Sequence, residues 1–108
     1  MIGGNIMKIY ITVSGMAYRY GTDFIAESMV GGLKLQLEKE PDNKYDKEAI
    51  MVKAPGLGKV GYVANSVNTV CDDCYSAGRL YDKMGDCGEC MVEYKLGEDR
   101  IVASVEID

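Results

Sequence analysis

The sequence is 108 residues long, 47% hydrophobic and 27% charged, with a formal net charge of −5 and no His. That length suits one domain of ordinary globular composition, so residues 1–108 are read as a single unit. The acidic balance argues against non-specific binding to duplex nucleic acid, which Lys and Arg drive by neutralising phosphates. The lack of His removes Ser-His and Cys-His catalysis and every His-based metal site. No apolar run approaches the ~20 residues that span a bilayer. The start, MIGGNIMKIYITV, carries one Lys and no small-residue cleavage pattern, so it does not read as a signal peptide. With four Cys and no export signal, the expected setting is the reducing cytoplasm, with no membrane partner.

KIYITVS at 8–14 alternates, with Ile9, Ile11 and Val13 on one side, and predicts a half-buried strand that Gly15 ends. MAYRYGTDF then reads as an aromatic-rich loop or a short continuation. Gly31-Gly32 mark a turn. LKLQLEKE alternates again, with Leu33, Leu35 and Leu37 inward, and should end near Glu40 because Pro41 cannot donate to a ladder. EAIMVKA and KVGYVA are two further strands around a PGLG turn. The period then changes, and Asn65 or Ser66 is expected to cap a helix starting there, with Gly78 and Gly85 limiting its length. MVEYKL and RIVASVEID form a hairpin across GED. Val102 and Val105 do not share a face under strict alternation, which predicts a bulge near them. The expected fold is mainly β (a β-rich α+β domain): a small OB- or SH3-like β-barrel with a helical insertion between early and late strands, closed so that no sheet edge is left open.

The stretch EPDNKYDKEAI at 40–50 is too polar for a core and too punctuated for a plain helix. It reads as a polar turn between two strands that doubles as a small binding surface. Together with VSGMAYRYG at 13–21 and KVGYVANS at 59–66, it resembles the HIRAN domain in the order and spacing of its blocks. The resemblance covers about the first two thirds of the chain, and the EPDN-x-YD-x-x-AI block is its most specific part. It implies a small barrel with accompanying helices that holds the 3′ end of single-stranded DNA without catalysing a reaction. Carried over, Tyr18 matches a stacking aromatic, Asn43 and Asp46 match polar contacts at the strand end, and Tyr62 matches a ring-bearing site residue. Ala17 stands where the family's best-understood eukaryotic member has a basic residue, and Asn65 where it has a lysine; Arg19 and Lys59 are the candidate replacements.

The residue chemistry suits that role. Aromatic faces stack on bases with little regard to sequence. A carboxylate repels phosphate but accepts a hydrogen bond from a free 3′ hydroxyl, which makes Asp46 a candidate end-sensor. The structural alternative has Asp and Asn bonding their own turn backbone and Tyr45 packing over the barrel mouth. The functional alternative is a protein-interaction or regulatory module that carries a structural zinc site and binds no nucleic acid.

Cys71-Asp72-Asp73-Cys74 and Cys87-Gly88-Glu89-Cys90 form two C-x-x-C pairs separated by twelve residues. Each pair could turn two thiolates toward one point, and together they could hold a structural Cys₄ zinc ion. The competing readings are reduced thiols, disulfides and a redox switch. The acidic neighbours in CDDC raise thiol pKa and count against an activated thiolate there.

Overall fold

Period-2 alternation builds most of the wall of the molecule. In the computed structural model, residues 6–66, 69–71 and 73–107 are described, apart from the Arg19 side chain. β1 (Met7–Ser14) buries Ile9, Ile11 and Val13 as expected. β2 (Lys34–Lys39) buries Leu35 and Leu37, with Leu33 half-buried just before it. β3 (Ile50–Ala54) and β4 (Gly58–Val63) follow across a tight turn, and β5 (Cys87–Leu96) and β6 (Arg100–Ile107) form the late hairpin. Neighbouring strands are antiparallel, and the order β1-β4-β3-β2-β5-β6 closes into a barrel. Closure satisfies the backbone groups that an open sheet would leave at its edges.

The seam of the barrel is short. β1 pairs with β4 only at Val13↔Val63 and Ser14↔Tyr62. A bridge from Ile11 to Tyr75 takes part of the remaining edge, with the Tyr75 amide donating to the Tyr10 carbonyl at 2.7 Å. The Cys71 amide donates to Thr12 Oγ1 at 2.9 Å, so the segment after β4 lies over the outer face of β1.

The helices depart from expectation. MAYRYGTDF is not a loop: α1 (Met16–Tyr20) and α2 (Thr22–Ser28) occupy it, bracketed by Gly15 and Gly21. They pack against the core, with Met16 of α1, Ile25 of α2 and Met29 just after α2 buried in it. No helix starts at Asn65 or Ser66. α3 (Ala77–Tyr81) begins later, with Ser76 Oγ accepting from the Arg79 amide at 3.2 Å. Asn65 still serves that helix from a distance, because its Oδ1 accepts from the Gly78 amide at 2.8 Å. The irregularity expected near Val102 lies in the partner strand, where the register shifts between Val92 and Tyr94. Val102 and Val105 are both buried because both faces of β6 are covered over most of its length. Among the described residues, no helix is long and apolar enough to cross a membrane.

Candidate nucleic-acid interface

The turn between β2 and β3 is shaped by its own side chains. Asn43 Oδ1 accepts from the amides of Tyr45 at 2.9 Å and Asp46 at 3.0 Å. This Asx arrangement is a side-chain mimic of a backbone turn. Asn43 Nδ2 donates to Glu40 Oε1 at 3.0 Å, tying the turn to the end of β2. Asp46 is then held at both carboxylate oxygens: Oδ1 accepts from the Glu48 amide at 2.9 Å, and Oδ2 accepts from Asn65 Nδ2 at 2.9 Å. Asn65 therefore braces Asp46 on one side and the first turn of α3 on the other.

Glu40 is the second anchor. Tyr62 Oη donates to Glu40 Oε1 at 2.8 Å and receives Lys59 Nζ at 3.3 Å. Partial desolvation pushes the Glu40 carboxyl up. The hydrogen bonds from Asn43 and Tyr62 and the charge of Lys59 outweigh that push and hold it below its ordinary 4.5. One carboxylate thus orients the turn and the Tyr62 ring together.

Asn43, Tyr45, Asp46, Tyr62, Asn65 and Ser14 line one open hollow of about 300 Å³. Its neighbour, of about 680 Å³, is lined by Ser14, Ala17, Tyr18, Thr69, Asp99 and Arg100. Ser14 and Thr69 belong to both, so the two hollows are halves of one groove. Tyr18 is 98% exposed and Tyr45 95% exposed. Residues two apart on a helix point to nearly opposite sides. Tyr20 is accordingly anchored, its ring 4.6 Å from that of Phe24 and its hydroxyl donating to the Lys59 carbonyl at 3.0 Å, while Tyr18 faces the groove. Gly61 makes this docking feasible. A Cβ there would collide with the Ser14 carbonyl and crowd the Met16 side chain at 3.2 Å, so only glycine lets α1 settle against β4. Gly15 turns the chain from β1 into α1 at φ +91°, a region that favours glycine.

A small barrel thus carries the polar turn between β2 and β3, with Tyr18 and Tyr45 exposed beside it. The profile of the HIRAN domain family matches residues 6–105. The chain belongs to the HIRAN family. Its fold is similar to that in the crystal structure of the HIRAN domain of human HLTF, with a TM-score of 0.65, 18% identity, and coverage of 98% of this chain and 81% of that one. Among curated proteins none matches. HIRAN domains are DNA-binding modules rather than catalytic ones.

Within this HIRAN domain, Tyr18, Asn43, Asp46, Tyr62 and Asn65 line the joined hollows. Arg19 lies in α1, but its side chain is outside the described residues, as are Val67 and Asn68. The Lys59 ammonium lies beside Tyr62, 3.3 Å from its hydroxyl and 5.2 Å from the ring centroid. Asn43 and Asp46 do bond their own turn, as the structural alternative holds, but Tyr45 does not pack over the barrel mouth. Sequence reasoning placed Glu40 and Tyr45 in the polar turn without giving either a binding role of its own, and singled out Arg100 for nothing. Only Tyr45 carried a local signal, as the aromatic residue inside the polar turn. A separate hollow of about 410 Å³ on the β1-β6-β5-β2 wall holds a Lys34–Glu89 pair at 3.9 Å and no ring.

The four cysteines sit in different settings, and all are free thiols. Cys71 and Cys74 share a turn, with the Cys74 amide donating to the Cys71 carbonyl at 3.0 Å, and both are half-buried. Cys87 and Cys90 lie three apart on β5, which puts them on opposite faces. Cys87 is exposed, whereas Cys90 is in the core, where burial, with Glu89 adding to it, pushes its thiol up to about 12. Burial also raises the Cys74 thiol, and Cys71 and Asp73 add to that against a hydrogen bond from Thr12. Among the described residues no three His, Cys, Asp or Glu side chains gather as a metal site needs.

Proposed function

We propose that this HIRAN domain is a non-catalytic module that holds the 3′ end of single-stranded DNA. In this reading Asp46 accepts a hydrogen bond from the free terminal hydroxyl, and the exposed tyrosines stack on the last bases. The observation that carries it is the clamping of Asp46 at both carboxylate oxygens on the rim of an open groove. An ionised carboxylate offers about four lone-pair positions, so two held oxygens still have room for a ligand donor. A free 3′ hydroxyl supplies such a donor and an internal phosphodiester does not. A 3′ phosphate would bring negative charge against a fixed negative charge. Tyr18 and Tyr45 offer ring faces worth ~1–3 kcal/mol per stacked base, whatever the base. With a net charge of −5 and few phosphate partners, the affinity should be modest and only weakly salt-dependent.

Fluorescence anisotropy at low salt with two short single strands, one ending in a 3′ hydroxyl and one in a 3′ phosphate, tests this. Hydroxyl-dependent binding that disappears in Asp46→Ala is the expected result. Equal binding to both strands would remove end recognition. Binding to neither would leave the groove to a protein partner, a reading the acidic surface favours.

A further inference from the structure

Three adjacent strands bring a basic side chain next to the proposed end pocket. Ser14 of β1 pairs with Tyr62 of β4 on one side. On its other side Val13 pairs with Ile101 of β6, so the next step of the ladder sets Ser14 opposite Arg100. Tyr62 and Arg100 are thus two strand spacings apart, roughly 10 Å of backbone. Their side chains occupy successive halves of the groove, Tyr62 beside Asp46 and Arg100 beside Tyr18.

The Arg100 guanidinium is held but not sealed in. Its Nη1 donates to the Thr69 carbonyl at 3.0 Å, and its Nε lies 3.5 Å from Asp99 Oδ1. The Arg100 side chain is 29% exposed and that of Asp99 67% exposed. A guanidinium carries five N–H donors in a rigid fork suited to phosphate, and these two contacts use only part of the set. An ion pair to a carboxylate this exposed is weak and can be exchanged for a stronger anion.

We propose that the hollow lined by Tyr18 and Arg100 is the subsite for the second nucleotide from the end. Arg100 takes the last internucleotide phosphate and Tyr18 the penultimate base, while the Thr69 carbonyl keeps the guanidinium aimed into the groove. Asp99 acts as a placeholder that the phosphate displaces. The inference rests on the end-binding reading and gives the bound strand a direction, from Asp46 outward past Ser14 to Arg100.

The probe is a short thymidine oligonucleotide with a 3′ hydroxyl, alongside the same strand with a neutral methylphosphonate at its last linkage. Wild-type protein should bind the neutral-linkage strand roughly tenfold more weakly. Arg100→Gln should weaken the normal strand by a similar factor, bind the two strands alike, and lower the magnitude of the salt slope by about 0.7. It should keep its preference for 3′ hydroxyl over 3′ phosphate. Arg100→Lys should retain the salt slope, which separates lost charge from a disturbed fold. Asp99→Asn should tighten binding several-fold. If Arg100→Gln still distinguishes the two linkages, or if its salt slope is unchanged, the subsite is overturned while end capture stands. If the wild-type protein binds neither strand, both readings fall.

Discussion

Around Asp46 the groove is a net of hydrogen bonds, whereas around Tyr18 it is an exposed ring beside a half-exposed guanidinium. On the first side Asn43, Asp46, Asn65, Tyr62 and Glu40 each hold another member of the set. Their dipoles are fixed before any ligand arrives, so little reorganisation accompanies binding, and one ligand geometry is favoured over others. On the second side Tyr18 is almost fully exposed on α1, which is anchored by the buried Met16 and by Tyr20 stacked on Phe24. A ring presented this way gives contact area to any base and selects none. On the proposed reading, discrimination belongs to the braced half and much of the affinity to the open half.

The strongest way to break the contrast is at the joint between the halves. Gly61→Ala places a Cβ against the Ser14 carbonyl and the Met16 side chain, so either α1 moves or the β1–β4 seam opens. Overpacking of this kind costs about 2–3 kcal/mol. The expected outcome is a lower urea midpoint together with loss of binding at both halves; an unchanged midpoint would show that the junction has slack. Asn43→Ala should come next. It removes the acceptor for two turn amides and the donor to Glu40, with an expected loss of about 1–2 kcal/mol in stability and of hydroxyl-over-phosphate preference. Tyr18→Ala should do the reverse. With the side chain 98% exposed, the urea midpoint should stay put while strand affinity falls by about 1–2 kcal/mol at unchanged end preference.

The strands were legible because period-2 alternation is a local signal, and Ile9, Ile11, Val13, Leu35 and Leu37 all lie inside as that signal requires. α1 and α2 were not, because five and seven residues are too few to set up a helical period, and the Tyr-rich composition points to strands instead. The polar turn could be read as a turn from Pro41, Asp42 and Asn43, but its link to Asn65 joins residues nineteen positions apart and exists only once the barrel closes. Arg100 joins the site the same way, through the pairing of β6 with β1. The cysteines show how one spacing takes two local geometries. The same C-x-x-C pattern brings two thiols together in a turn at Cys71 and Cys74, and separates them across a strand at Cys87 and Cys90. Which outcome holds depends on backbone conformation, which the motif itself does not specify.

Glu40 gives the smallest effect and the finest probe of the braced half. Desolvation alone would raise its pKa, yet Asn43, Tyr62 and Lys59 bring it below 4.5. A carboxyl whose pKa is lower folded than unfolded stabilises the fold above its unfolded value, and loses that contribution as pH falls through its folded value. Glu40→Gln keeps an acceptor for Asn43 and Tyr62 but removes the charge facing Lys59. The variant should therefore have a slightly lower urea midpoint than wild type near neutral pH, and the gap should close as pH drops below 4.5. Because the group is largely in water, screening keeps the gap small and shrinks it further in salt. A gap that persisted unchanged into strong acid would mean that packing, not charge, is what Glu40 contributes, and the braced half would then be held by shape instead of by its hydrogen-bonded carboxylate.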